Sequence, residues 1–482
     1  MNRLSAILLA LLAVIPCFAQ KKPNIIYIMA DDMGYGELGC YGQKKIKTPN
    51  IDRMAAEGLR FTQYYANTLC APTRCSFITG VCGLHAQVRD NLEYGGFKDE
   101  EEFGQLPLAA NTITLATELK KAGYTTAVFG KWGLGGPNTT GIPTKQGFDR
   151  FYGYLDQKQS HNFYPSHLWR NEKAEWLQPY FSPHQKLDGD STDATLYKKY
   201  SGKIYAPDTL TAEAVKFIGE HQQKPFFLYL AYTLPHVALQ VPDKNLEQYK
   251  GKFDEQPYTG RNGYLPHLRP RSAYAAMISK LDEYVGIVLE TVRKLGLEKN
   301  TLIIFTSDNG ATTPGTGGAD TDFFNSNGSL RGYKGSLYEG GIRVPFIARW
   351  PGTIKPGMDH DGVAAVWDLA PTFCEIAGIK TSFPGDGFSL LSTLKGTRYP
   401  KHEWLYWEVH GFFEGMQAVR WKNWKAVRKG VHKNKDAVFE LYDLEKDEKE
   451  QNNVAAQHPE VIAEVNRIIA LRSRPVIKDW NF

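Results

Sequence analysis

The sequence predicts an α/β fold: a mostly parallel central sheet flanked by helices, with a smaller C-terminal α+β unit on a short antiparallel sheet. Continuous apolar runs of strand length recur at 24–30, 125–129, 226–232 and 301–307, as in strands buried on both faces. Helical segments separate these runs, which implies right-handed crossovers and parallel pairing. Beyond Ala377 the runs shorten and the alternation stops.

Taken in order, Met1 to Ala19 reads as a signal peptide, with Arg3 at its start and an apolar run from Ile7 to Ile15 too short to span a bilayer. Cys17-Phe18-Ala19 offers small residues for cleavage, and Pro16 argues against lipidation of Cys17. No later run reaches transmembrane length, so an exported, periplasmic or secreted protein without a membrane span is expected. The first strand ends in Asp31-Asp32. Thr48-Pro49 opens a helix that Gly58 stops. Pro72 suits a first helical turn and places Cys70 at a helix N-terminus, where free N–H groups and the dipole favour an anion. Arg74 lies one turn on. From these residues alone, a structural cysteine and a chemical one are equally open.

A helix from Thr112 to Ala122 leads to the second strand, which ends in Gly130-Lys131-Trp132-Gly133. Residues 137–205 are rich in Tyr, His, Trp and Pro with little periodicity, and read as long functional loops. Ala212 to Glu220 is helical, and the strand after it ends in Leu234-Pro235-His236. A loop insert at 240–270 and a long helix from Ser272 to Leu295 precede the strand that ends in Asp308-Asn309-Gly310. In the last part, 403–409, 417–427 and 439–443 read as antiparallel strands and His458 to Leu471 as a closing helix. The expected division is 1–19 signal peptide, 20–376 catalytic domain and 377–482 C-terminal subdomain.

At 482 residues the chain can hold more than one domain, and 23% charged with 42% apolar residues is ordinary for a globular protein. A net charge of +5 gives no argument for nucleic acid and suits an anionic substrate. Aromatic residues at 13% provide rings for stacking on sugars. Cleavage leaves Cys40, Cys70, Cys75, Cys82 and Cys374, too few for a disulfide framework and odd in number, which leaves one for chemistry. Four buried strands end in Asp31-Asp32, Lys131, His236 and Asp308-Asn309. Ligands in open α/β sheets bind outside the carboxyl ends of the strands, so these ends predict one shared site.

Cys70-Ala71-Pro72-Thr73-Arg74 with Thr79-Gly80 resembles the signature of the type I, formylglycine-dependent sulfatases, Cys/Ser-x-Pro-x-Arg followed by Thr-Gly. The whole mature chain agrees in order and spacing. Lys131 lies in Gly-Lys-Trp-Gly-Leu-Gly, His236 in Leu-Pro-His, Asp308-Asn309 in Ser-Asp-Asn-Gly, and Lys334 in Arg-Gly-Tyr-Lys-Gly-Ser, followed by Glu339-Gly340-Gly341-Ile342-Arg343-Val344-Pro345. Glu440-Leu441-Tyr442-Asp443-Leu444 and Asn452-Asn453-Val454 match the family's small domain.

The resemblance implies an alkaline phosphatase-like fold and a bacterial-type exported carbohydrate sulfatase. It implies that a maturation enzyme oxidises Cys70 to formylglycine, whose hydrate attacks sulfur and whose second hydroxyl then expels sulfate. Asp31, Asp32, Asp308 and Asn309, with the modified Cys70, would hold one metal. Their hard oxygens suit Ca²⁺, with Mg²⁺ the lesser option, and not Zn²⁺. Arg74, Lys131 and Lys334 would offset charge on the ester. Asp308 would accept the nucleophile's proton, and His236 would act as general acid. Lys131, Lys334 and His161 would bind substrate.

In one departure, the family often has His two residues after the Lys, where this chain has Gly133. His161 is expected to reach into the resulting space. A phosphatase or phosphonate monoester hydrolase of the same superfamily would want a further His where this chain has Asn309. An inactive sulfated-glycan-binding homologue would be expected to lose Cys70, His236 or a metal ligand, and all are present. The segment 160–165, with His167 and Trp169, has the polar and aromatic mix of a sugar pocket, which favours an exo-acting enzyme on sulfated galactose or N-acetylgalactosamine.

Overall fold

A computed structural model of the chain describes residues 21–380, 383 and 385–482, so the expected signal peptide lies outside it. The large sheet has ten strands: β1 Asn24–Asp31, β2 Leu59–Tyr65, β3 Thr125–Lys131, β4 Arg150–Tyr154, β5 His167–Arg170, β6 Lys173–Trp176, β7 Phe226–Pro235, β8 Thr301–Ser307, β9 Arg343–Arg349 and β10 Met358–Ala365. Their order is β10-β2-β9-β8-β1-β7-β3-β4-β5-β6. The centre, β8-β1-β7-β3-β4, is parallel throughout. Antiparallel β9 and the β5–β6 hairpin lie to either side of it.

Alternate residues of β1 serve two cores. Ile26 and Ile28 pack under the helices Pro49–Ala56, Ala206–Glu220 and Pro270–Lys294, while Ile25, Tyr27 and Met29 face the helices Cys70–Thr79, Leu115–Lys121 and Leu369–Ile376. Both faces of the sheet are thus covered, which is why β1, β7 and β8 read as unbroken apolar runs. The start of Leu115–Lys121 is set by a capping box between Thr114 and Thr117.

The expected strands and long helices are present, and the loops need correction. Segment 137–205 is not loop throughout, because β4, β5 and β6 lie within it and extend the sheet. They are short, and Gly153 interrupts the apolar pattern of β4. The expected strand at 417–427 is a hairpin, β12 Met416–Trp421 and β13 Trp424–Lys429. With β11 Trp404–Val409 and β14 Glu440–Asp443 it forms a separate four-stranded antiparallel sheet. Three strands, β2, β9 and β10, gave no clear signal. Pro345 sits inside β9, at the point where the β2–β9 register shifts between Phe61 and Tyr64, so no ladder bond is missed. At the edge, β10 is polar and half exposed. Among the described residues no helix is long and apolar enough to cross a membrane.

The two sheets are joined by one continuous core and by a buried ion cluster. Leu405, Tyr406 and Trp407 of β11 pack into the core beneath the large sheet, and Trp407 Nε1 donates to Ala66 O at 2.8 Å. Lys425 of β13 has no exposed side-chain surface and lies 2.9 Å from Glu339 Oε1 and 3.2 Å from Glu450 Oε1. Tyr65 OH donates to Glu339 at 2.6 Å, and the Glu339 N–H donates to Glu450 at 2.7 Å. Removing Lys425 leaves the two buried acids facing each other with Arg343, 3.6 Å from Glu339, as the remaining ion-pair partner. Lys425→Met is expected to destabilise the fold by about 3–5 kcal/mol in urea unfolding followed by tryptophan fluorescence. Lys446→Met, at a side chain 82% exposed, is expected to shift stability by less than about 0.5 kcal/mol.

Candidate active site

Strands β8, β1, β7 and β3 are neighbours, and their register brings their carboxyl ends to one level: Ala30 lies opposite Ser307, Asp31 opposite Pro235, and Gly130 opposite Ala231. Asp308, Asp31, His236 and Lys131 therefore emerge side by side. Asp32, one residue beyond β1, takes a left-handed backbone (φ 64°), a conformation that Asp tolerates better than most residues. Its N–H donates to Asp308 Oδ1 at 3.1 Å, which ties the two strand ends together.

Cys70 is the first residue of its helix, with Leu69 as N-cap and Gly80 as C-cap in the left-handed region. The exposed N-terminus expected there is partly taken, because the Ala71 N–H donates to Asn91 Oδ1 at 3.1 Å. Thr73 fixes the helix to the strand ends by donating to Asp308 O at 2.6 Å. Cys70 Sγ then lies 3.4 Å from Asp31 Oδ1 and 3.5 Å from Lys334 Nζ. Lys334 arrives from a loop held by Thr68 Oγ1, which donates to Ser336 O at 2.7 Å.

Anions and cations alternate in this cluster. Lys131 Nζ is 2.7 Å from Asp31 Oδ2, and Lys334 Nζ is 2.7 Å from Asp32 Oδ1. Arg74 Nη2 is 2.7 Å from Asp308 Oδ2 and 3.6 Å from Asp31 Oδ2, while its Nη1 donates to Lys131 O at 2.7 Å. Burial opposes ionisation of Asp31, but Lys131, His236, Arg74 and Lys334 together hold its carboxyl well below the usual range. Burial and then the Asp31 charge push Asp308 the other way, upward. The same two causes raise the Cys70 thiol far above its ordinary range, so the encoded thiol stays neutral.

The oxygen atoms fit a hard cation. Ligand atoms of Asp31, Asp32, Cys70 and Asp308 all lie within 4.8 Å of one another, and all four residues are buried. Asn309 Nδ2 donates to Asp32 Oδ1 at 2.8 Å and to Gly310 O at 2.9 Å, which leaves its Oδ1 as the free end of the amide. Asn309 Oδ1 and Asp32 Oδ2 are buried without a hydrogen-bond partner. Unpartnered buried oxygens of this kind are what a divalent cation requires, and the oxygens of Asp31, Asp32, Asp308 and Asn309 suit Ca²⁺ or Mg²⁺.

His236 points at the cluster, with Nε2 3.6 Å from Asp32 Oδ2. Its Nδ1 contacts Val237 O, so a neutral ring carries its proton there. Burial pushes its pKa down to about 4, against the pull of Asp32. His161 reaches the site but does not fill the space beside Gly133 that the sequence reading gave it. Its ring stacks on His236, centroids 4.7 Å apart, within a wall that includes Tyr264 and Phe97. The space beside Gly133 is filled by Gln157, because a Cβ on Gly133 would stand 3.3 Å from Gln157 Cγ. Gly133 has φ +78°, a turn that few residues other than glycine adopt, and this swings the chain aside after β3.

All nine residues marked for catalysis or metal binding thus come together: Asp31, Asp32, Cys70, Arg74, Lys131, His236, Asp308, Asn309 and Lys334. Sequence reasoning passed over Asn91, Gln157 and Tyr264. Gln157, four residues before His161, lies in a segment read as loop, and Tyr264 lies in an insert with no periodicity. Neither carried a signal beyond that placement.

Known proteins match most of this chain. The Sulfatase family model matches residues 23–379, and the model for N-sulphoglucosamine sulphohydrolase, C-terminal, matches 333–473. The chain is 33% identical to arylsulfatase A of Homo sapiens over 94% of its own length and 88% of the relative. It is 30% identical to the N-acetylgalactosamine-6-O-sulfatase of Bacteroides thetaiotaomicron, with 93% of each chain covered. The crystal structure of Ps i-CgsB in complex with k-i-k-neocarrahexaose aligns with a TM-score of 0.76 at 27% identity, over 95% of this chain and 94% of that one. With matches this long, and a buried cysteine set among carboxylates and lysines at the strand ends, the chain belongs to the sulfatase family, sulfuric ester hydrolases of alkaline phosphatase-like fold.

Proposed function

We propose that the chain is an exported carbohydrate sulfatase that hydrolyses sulfate monoesters through a formylglycine derived from Cys70 and one Ca²⁺, with Mg²⁺ the lesser option. The observation that carries this reading is the position of Cys70 Sγ, between Asp31 Oδ1 at 3.4 Å and Lys334 Nζ at 3.5 Å, beside two unpartnered buried oxygens. The hydrated aldehyde would supply an oxygen nucleophile, and the cation would supply positive charge at the ester oxygens. Asp31, Asp32, Asp308, Asn309 and residue 70 would hold the cation.

The remaining roles fall to this chain's own side chains. Lys131 and Lys334 hold their ammonium groups where the sulfate oxygens arrive. Arg74 is a positioning residue, since its Nη groups go to Asp308, Asp31 and Lys131 O. Asp308 takes the proton of the nucleophile. His236 presents Nε2 to the leaving oxygen, and an anionic ester beside that nitrogen favours the second proton that burial alone denies it.

Support for a sugar substrate comes from the relatives that act on or bind carbohydrate, and from the wall formed by His161, Tyr264 and Phe97 beside His236. Within that class we favour exo-action on sulfated galactose or N-acetylgalactosamine. A formylglycine-generating maturation enzyme is the implied partner. Residues 1–19 serve as export signal, 20–376 as catalytic domain and 377–482 as C-terminal subdomain.

A panel of defined sulfated mono- and oligosaccharides, run beside matching phosphate monoesters, tests the reading, and faster phosphate turnover would overturn it. His161→Ala is expected to lower kcat/KM on the preferred sugar by roughly 5- to 100-fold, the cost of leaving a buried sugar hydroxyl without its partner, with the fold and metal content unchanged. Protein made with its maturation enzyme should carry, on the peptide holding residue 70, the mass of an aldehyde in place of the thiol. Full activity with residue 70 entirely Cys would contradict that. Chelation should abolish turnover and Ca²⁺ should restore it, whereas Asp308→Ala should stay inactive at any Ca²⁺ concentration. Better rescue by Zn²⁺ would refute the oxygen-ligand assignment.

A further inference from the structure

At the far end of the Cys70–Thr79 helix, about 15 Å from the catalytic cysteine at 1.5 Å per residue, the chain turns through Cys82-Gly83-Leu84-His85. The N–H groups of His85 and Ala86 both donate to Cys82 O, at 3.1 and 2.9 Å. Asp386, 301 residues after His85, closes over this turn. Its Oδ2 accepts from Cys82 N at 2.8 Å, and its Oδ1 lies 2.7 Å from His85 Nδ1. The Cys82 sulfur, the His85 nitrogen and an Asp386 oxygen all lie within 4.8 Å of one another. Cys82 and Asp386 also line a cavity of about 310 Å³, along with Trp367, Phe388, His402 and Trp404.

The hydrogen bonds to Asp386 hold the three donors together, with protons on Cys82 and His85 that an ion would displace. Burial and then the Asp386 charge raise the Cys82 thiol well above its ordinary range, so the thiol stays neutral until a cation displaces its proton. The hydrogen bond to Asp386 raises the His85 pKa, so Nδ1 carries a proton toward Asp386 Oδ1 that a metal ion would have to replace.

We propose that Cys82, His85 and Asp386 form a second metal site, separate from the catalytic cluster, that takes Zn²⁺ with its fourth position open to the cavity. One sulfur, one imidazole nitrogen and one carboxylate oxygen are the donor types Zn²⁺ prefers, whereas the catalytic cluster offers oxygens that suit Ca²⁺. Binding releases the Cys82 thiol proton and the proton between His85 and Asp386 to solvent. The ion pins the turn, which also holds the Ser473 N–H through Leu84 O at 3.0 Å, to the chain near Asp386. Its effect is on stability, through mass action on the folded state.

Cobalt(II) and zinc added to metal-stripped protein test the site without reference to activity. Expected is a thiolate-to-cobalt charge-transfer band that persists in Cys70→Ala and is lost in Cys82→Ala and in His85→Gln. Zn²⁺ should raise Tm in wild type and Cys70→Ala and leave His85→Gln unmoved. His85 is 40% exposed, so the Gln variant keeps its fold. The affinity loss in His85→Gln should exceed the roughly 10- to 100-fold expected of an outer-shell partner. A band absent from Cys70→Ala, a band that survives Cys82→Ala, or a Tm indifferent to Zn²⁺ would overturn the site.

Discussion

Everything at the strand ends depends on charge balance among side chains buried from solvent. Asp31, Asp32 and Asp308 are fully buried, and each stands within 2.7 Å of Lys131, Lys334 or Arg74. Desolvating one such charge costs several kcal/mol unless a partner lies close, so the cluster is stable only as a set. The sheet supplies the carboxylates from adjacent parallel strands, and the cations come from a helix, a strand end and a loop. Thr73, Thr68 and Asn91 do no chemistry, but they hold helix and loops where opposite charges meet.

Much of this was legible in the sequence, for physical reasons. A strand buried on both faces must be apolar along its whole length, so β1, β7 and β8 announce themselves, and a polar residue at the end of such a run has few places to go but the sheet's edge. Strands with weaker constraints were silent. Pro345 breaks the reading of β9, although the shift in β2 pairing accommodates it. The polar face of β10 looks like loop. The hairpin of β12 and β13 read as one strand because Lys422 and Asn423 turn it without Gly or Pro.

Side-chain destinations were harder to read than backbone elements. Gly133 revealed that a side chain was missing but not what took its place. That depended on how 150–161 folds back along β3, and Gln157 rather than His161 arrives. His161 lies one helical turn's worth of sequence away and meets His236 instead. Distances of this kind depend on loop packing, which has no period to read.

The depth of Cys70 imposes a timetable. The residue is 1% exposed once the chain has folded, under a helix and against β1. The proposed oxidation of Cys70 would therefore have to take place before the Cys70–Thr79 helix docks. The groups that bury it come from positions as far apart as Asp31 and Lys334, and contacts between such distant residues form late. Late closure of the site would leave an opening for the proposed oxidation, and a variant that folded faster would then lose activity while gaining stability.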